Sequence, residues 1–164
     1  MHESPSSMLQ KPSLAKCCAA GVQRRAARAE VRIFLDANVL FSAAKSDGFV
    51  RRLLELLVAD GHVLCADGYV AEEARRNLAA KGPQGLPALA ALLDQLEVAL
   101  QADPETGTAL SALPEKDRPV VAAAVRMTCD ALVTGDRTHF GRFYGRKLAG
   151  VAIHSPRTLA EWLL

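Results

Sequence analysis

Val31-Arg32-Ile33-Phe34-Leu35-Asp36-Ala37-Asn38-Val39-Leu40 is the stretch on which the fold turns. Val31 to Leu35 is a short apolar run of the kind that forms a strand buried on both faces. Asp36 ends it. Ala131-Leu132-Val133-Thr134-Gly135-Asp136 repeats the arrangement far along the chain, an apolar run closed by an acid. In an open parallel sheet the carboxyl ends of the strands face one crevice, where such folds place their chemistry. Asp36 and Asp136 are therefore expected in one pocket, joined by Glu73 and Asp117 from helical segments between them. Carboxylates crowded together repel: at ~5 Å and an effective dielectric of ~20, each pair costs roughly 3 kcal/mol. A divalent cation relieves that repulsion, and hard oxygen donors select magnesium or manganese. The four acids point to metal-assisted phosphodiester chemistry.

Outward from these runs, strand and helix alternate. Asn38 to Ala59 is helical with a break at Ser46-Asp47-Gly48, and Val50, Leu53, Leu54, Leu57 and Val58 recur at helical spacing. Gly61 to Cys65 reads as a second strand. Tyr69 to Ala80 reads as a helix stopped at Gly82-Pro83, and Leu86 to Leu93 as another. Val98 to Leu100 is a short strand, and residues 103–116 form a loop. Pro119 to Cys129 is helical, with Asp117 placed to cap it and Pro119 in its first turn. Gly150 to Ile153 is the last strand and Pro156 to Leu164 a closing helix. The alternation implies an α/β fold with a parallel sheet.

The chain has 164 residues, enough for one domain with a proper core; half are hydrophobic and only 5% aromatic. Ala, Val and Leu must build that core. No run approaches the roughly 18 apolar residues of a membrane span. Lys11, Lys16, Arg24, Arg25 and Arg28 against Glu3 and Glu30 leave +3 in residues 1–30, and hence −1 in the rest of a chain whose total is +2. Residues 1–30 read as a flexible basic arm, and residues 31–164 as the domain. Cys17, Cys18, Cys65 and Cys129 form no CxxC pair, which argues against a zinc site or disulfide framework and fits a reducing cytoplasm. Cys65 and Cys129 read as small buried hydrophobes.

Four segments carry a resemblance. They are residues 33–40, residues 69–78 (Tyr69-Val70-Ala71-Glu72-Glu73-Ala74-Arg75-Arg76-Asn77-Leu78), residues 117–124 and residues 129–136. In this order and spacing the chain resembles the PIN-domain nucleases over about residues 31–160. The resemblance implies a compact α/β/α sandwich around a small, mostly parallel sheet. It implies one or two Mg²⁺ or Mn²⁺ ions in an acidic cluster, and hydrolysis of RNA by a metal-activated water. By position, Asp36, Glu73, Asp117 and Asp136 match the four acids. Asn38 and Thr134 match the polar positions that steady them. A metal is expected on Asp36, Asp117 and Asp136, with Glu73 orienting water or completing the shell. Glu73 is preferred to Glu72 because it stands five residues before Leu78, the family's spacing. Many small bacterial members are toxins held by an antitoxin protein, and others process RNA; PIN proteins are often homodimers.

Arg137, His139, Arg142, Arg146 and Lys147 follow Asp136, with Phe140, Phe143 and Tyr144 interleaved. Cations beside aromatics suit phosphates and unpaired bases, so Arg137, His139 and Arg142 are candidate RNA contacts. A solvated loop with its aromatics packed beneath explains the same pattern. Leu53, Leu56, Leu57 and Leu86 to Leu93 suit either a dimer face or the core. A haloacid-dehalogenase-type phosphotransfer site needs a second acid two residues after Asp36, where Asn38 stands. No GxGxxG or GxxxxGK[ST] is present, and no early acidic pair suits a receiver domain. Flap-type action on DNA needs an arch longer than any loop here. The competing class is a PIN-like binding module without catalysis, against which the presence of all four acids argues.

Overall fold

The computed structural model describes residues 29–101 and 110–164, so the basic arm falls, but for Ala29 and Glu30, outside the described residues. Among the described residues the first element is β1 (Arg32–Leu35), followed by α1 (Ala37–Lys45), α2 (Phe49–Ala59) and β2 (Val63–Asp67). Then come α3 (Gly68–Lys81), α4 (Leu86–Leu93) and the edge strand β3 (Glu97–Ala99). Residues 102–109, which take in the first half of the expected loop, lie outside the described residues; after them follow α5 (Arg118–Arg126), β4 (Ala131–Val133), α6 (Arg137–Phe140), β5 (Lys147–Leu148), β6 (Val151–His154) and α7 (Pro156–Leu163).

The strands form one sheet in the order β3-β2-β1-β4-β6-β5, parallel throughout except for the antiparallel β5–β6 pair. Ile33, Phe34, Leu35, Leu132 and Val133 are wholly buried, as continuous apolar strands at the centre of a parallel sheet must be. Helix α1 packs against α2, α3 and α4, while α5 lies across β2, β4 and β6. The result is the expected α/β/α sandwich around a mostly parallel sheet. From β1 the chain steps to β2 and β3 on one side, then returns to β4 on the other. This reversal makes a topological switch point, and such points open a crevice at the strands' carboxyl ends. There Leu35 lies in register with Val133, and the Asp36 N–H donates to the Val133 carbonyl at 3.0 Å.

The expected break at Ser46-Asp47-Gly48 separates α1 from α2. Arg51 reaches back across it, donating to the carbonyls of Ala43 (2.6 Å) and Ala44 (3.0 Å) and pairing with Asp47. These carbonyls end α1 without helical partners, and a cation there also suits the helix dipole. Strand β2 starts two residues later than the sequence suggests. Gly61, at φ +86°, closes α2 in a Schellman turn, with His62 N–H bonded to Leu57 O and Gly61 N–H to Val58 O, each at 3.0 Å. Residues 137–143, to which the sequence assigns no element, are α6 and a 3₁₀ turn. Asp136 supplies the missed start signal, accepting from the N–H groups of Thr138 and His139. Leu53, Leu57 and Leu89 are core residues, whereas Leu56 lies half-exposed on α2. Cys65 and Cys129 are buried free thiols, as expected. Among the described residues, no helix is long and apolar enough to cross a membrane.

Candidate metal centre

Asp36 leaves the end of β1 and is nearly buried. Its Oδ1 accepts from the Ala37 N–H at 2.8 Å; its Oδ2 accepts from Asn38 Nδ2 at 2.8 Å and Thr134 Oγ1 at 2.7 Å. The Thr134 hydroxyl also accepts from the Asp136 N–H at 3.1 Å. Asn38 completes the stitching of β1 to β4: its Oδ1 accepts from the Gly135 N–H at 2.8 Å, and a Cβ on Gly135 would stand 3.2 Å from that oxygen. Asn38 and Thr134 thus hold both strand-end aspartates.

The other two acids approach from the helices. Tyr69, Glu73 and Asn77 recur at four-residue spacing on α3 and line the same cavity of about 140 Å³ as Asp36, Asn38, Asp117 and Asp136. Glu72 faces away and pairs with Arg75 at 2.6 Å on the exposed side of the helix. Asp117 ends a 3₁₀ turn, Glu115–Asp117, immediately before α5. It holds the position expected of a cap but makes no capping bond, because its backbone is already helical (φ −95°, ψ −15°) rather than extended. Its side chain enters the cavity instead, where Oδ2 is buried without a hydrogen bond.

His139 lies between two of the acids. Its Nδ1 is 2.7 Å from Asp136 Oδ2 and 3.3 Å from Asp117 Oδ2. Only the shorter approach has hydrogen-bond geometry, so the Asp117 oxygen is touched without being satisfied. Among the described residues, Asp117, Asp136 and His139 are the group whose potential ligand atoms all lie within 4.8 Å of one another. Asp36, expected in the tightest triad, lines the cavity from the side with both oxygens committed to donors.

The electrostatics follow this geometry. Burial pushes the Asp36 carboxyl up to about 6; the donors Thr134 and Ala37 oppose the rise, and Glu73 and Asp117 add to it. Burial also raises Asp117, against the pull of His139 and Lys116 and with the push of Asp136. At Asp136 burial acts upward but is outweighed by the His139 N–H, the His139 ring and the Thr138 N–H, which hold the carboxyl below its usual range. Burial thus raises two of these carboxyls, while hydrogen bonds and the His139 ring lower the third.

The expected nucleic-acid contacts divide. Arg137 is exposed, while His139 turns inward to the acids. Arg142 stacks over Phe143, 4.6 Å from its ring centre, and donates to the Ala112 carbonyl on the loop leading to Asp117. The interleaved aromatics are not free stacking platforms. Phe140 is buried, Phe143 and Tyr144 pack on the core, and the Tyr144 hydroxyl donates to Thr134 O at 3.0 Å. Sequence reasoning missed Tyr69, Asn77 and Lys116 as lining residues. The first two were signalled by their spacing from Glu73, and Lys116 only by its adjacency to Asp117.

A family model for the PIN domain matches residues 32–138. Comparison with curated protein sequences yields no match. Among solved structures, VapBC2 from Rickettsia felis, bound to a DNA fragment from its promoter, is similar with a TM-score of 0.57 and 20% identity, covering 76% of this chain and 98% of that one. VapC20 from Mycobacterium tuberculosis, a toxin that cleaves the sarcin–ricin loop, gives 0.51 and 13%, covering 73% and 98%. FitAcB from Neisseria gonorrhoeae gives 0.51 and 19%, covering 80% and 99%. At these identities the likeness is one of fold.

Proposed function

The chain belongs to the PIN-domain family, and from that premise we propose that it is a metal-dependent endoribonuclease. Its catalytic residues on this reading are Asp36, Glu73, Asp117 and Asp136, its substrate is RNA, and its cofactor is Mg²⁺ or Mn²⁺. One observation carries the proposal: four acids from separate elements line one cavity, with the buried Asp117 Oδ2 lacking a hydrogen-bond donor. Leaving a buried acceptor unpaired costs about 1–3 kcal/mol, and a cation bound there offsets that cost.

The donors fit such an ion, since carboxylate oxygens dominate the set. Asp117 and Asp136 would hold it, with Asp36 and Glu73 completing its surroundings. When bound, the ion supplies Lewis acidity at a phosphate oxygen and lowers the pKa of its water. The protein's own part is positioning. Thr134 and Asn38 fix the Asp36 carboxylate, Glu73 stands where it can orient a water, and Lys116 brings a cation for the phosphate. We extend this reading to a toxin acting in the cytoplasm with an antitoxin protein as partner, a role taken from the PIN-domain family; the toxin VapC20 shares the fold.

The purified protein, given a generic single-stranded RNA, is expected to cleave it with Mg²⁺ or Mn²⁺, to stop on addition of EDTA, and to lose activity as Asp36→Asn. RNA binding without cleavage in either metal would favour the binding-module alternative.

A further inference from the structure

We propose that His139 is itself a ligand of the metal, making this a mixed nitrogen–oxygen site that prefers Mn²⁺ to Mg²⁺. The inference rests on the metal-site reading above and deepens it. Nδ1 of His139 stands 2.7 Å from Asp136 Oδ2 and 3.3 Å from Asp117 Oδ2. Neighbouring ligands of an octahedral ion with bonds of ~2.1 Å are separated by ~3.0 Å, and the two observed separations bracket that edge. The Asp117 oxygen on this edge is the one buried without a donor. The imidazole is held in place from both ends of its own turn. Asp136 Oδ1 accepts from the His139 backbone N–H at 3.1 Å and Oδ2 lies against its ring, so the turn sets Nδ1 beside both carboxylates; the tautomer with its proton on Nε2 offers that nitrogen to the ion in place of the contact with Asp136. Phe140, buried beside it, anchors the turn.

A simple positioning role for His139, gripping Asp136 alone, does not explain why the same nitrogen also approaches Asp117 Oδ2, the buried carboxylate oxygen that lacks a hydrogen bond among the described residues. Ion preference follows from donor chemistry. Imidazole suits first-row transition metals, whereas Mg²⁺ is served best by oxygen. The site is therefore expected to bind Mn²⁺ more tightly than Mg²⁺, and the difference is expected to shrink when the nitrogen is removed.

Pulsed electron paramagnetic resonance of the Mn²⁺-loaded full chain tests this without reference to activity. The wild type should show the ¹⁴N coupling of a directly bound imidazole, and His139→Gln should lose it. By calorimetry His139→Gln should lose roughly tenfold or more in Mn²⁺ affinity and less in Mg²⁺ affinity, with its circular dichroism unchanged. Mn²⁺ bound without nitrogen coupling in the wild type, yet abolished by Asp117→Asn, would overturn the ligand proposal and leave the acidic metal site standing. A wild type that binds no Mn²⁺ at all would overturn both.

Discussion

At the scale of single residues, Asp36 is where charge and burial conflict most. Its carboxyl, pushed up to about 6 from an ordinary 3.8 mainly by burial, binds a proton more tightly in the folded chain than in the unfolded one. Folding stability of the metal-free protein should therefore rise as the pH falls through 6 towards 4, and fall as the pH rises through that window. A rise of this size corresponds to at most about 3 kcal/mol. Asp36→Asn removes the titrating group, so urea titrations in EDTA should show a flatter pH profile and a more stable variant at pH 8. Parallel curves for wild type and variant would place the penalty on another group. Thr134 acts through its neighbours. Its hydroxyl donates to Asp36 and accepts from the Asp136 N–H. Thr134→Val, close in shape, should lower metal affinity about 10–100-fold, read by calorimetry, while leaving the fold intact.

The elements meet at close backbone approaches, the tightest of them at Gly85. The short 3₁₀ turn Pro83–Gly85 brings Gly85 against α1 and α3. A Cβ there would stand 2.9 Å from Leu78 Cδ2 and 3.0 Å from the Ala44 carbonyl oxygen. The carbonyl belongs to the end of α1 and has little freedom to yield, because Arg51 also holds it. Gly85→Ala should cost about 1–3 kcal/mol by overpacking. Gly48, at the start of α2, is the control. Its Cβ would meet only Ser46 Oγ at 3.4 Å, so Gly48→Ala brings no overpacking and should cost less than about 1 kcal/mol, through the poorer N-cap that alanine makes. Equal losses in the two variants by thermal melting would show that packing at Gly85 is looser than the distances imply.

Across the whole molecule, the acidic cavity exists only in the folded chain. Its walls come from the end of β1, the inner face of α3, the turn before α5 and the start of α6. An ion bound there favours the folded state over the unfolded by mass action, about 2.7 kcal/mol when free ion stands at a hundred times its Kd. Mn²⁺ should accordingly raise the melting temperature in a concentration-dependent way, and Asp117→Asn should abolish the shift. An equal shift in that variant would mean that the ion binds elsewhere.

The primary structure was enough to determine the alternation of strands and helices, the break at residues 46–48, and that Asp36, Glu73, Asp117 and Asp136 meet at one cavity with Asn38 and Thr134 beside Asp36. Each of these is written in local patterns: buried strands appear as apolar runs, helices as a repeating face, and strand ends in a parallel sheet as positions that share a crevice. Local pattern could not say which oxygens in the cavity remain available. Asp36 spends Oδ2 on a hydroxyl 98 residues away, whereas Asp117, in the place of a helix cap, keeps Oδ2 free of any donor because its backbone is already helical. Nor could it foresee that His139 leaves the basic surface of its segment to join the acids, since that follows from the Asp136-capped turn of α6 and from α5 carrying Asp117 to the same place. Hydrogen-bond capacity and ligand geometry are set by which groups meet in space, and only the tertiary structure decides that.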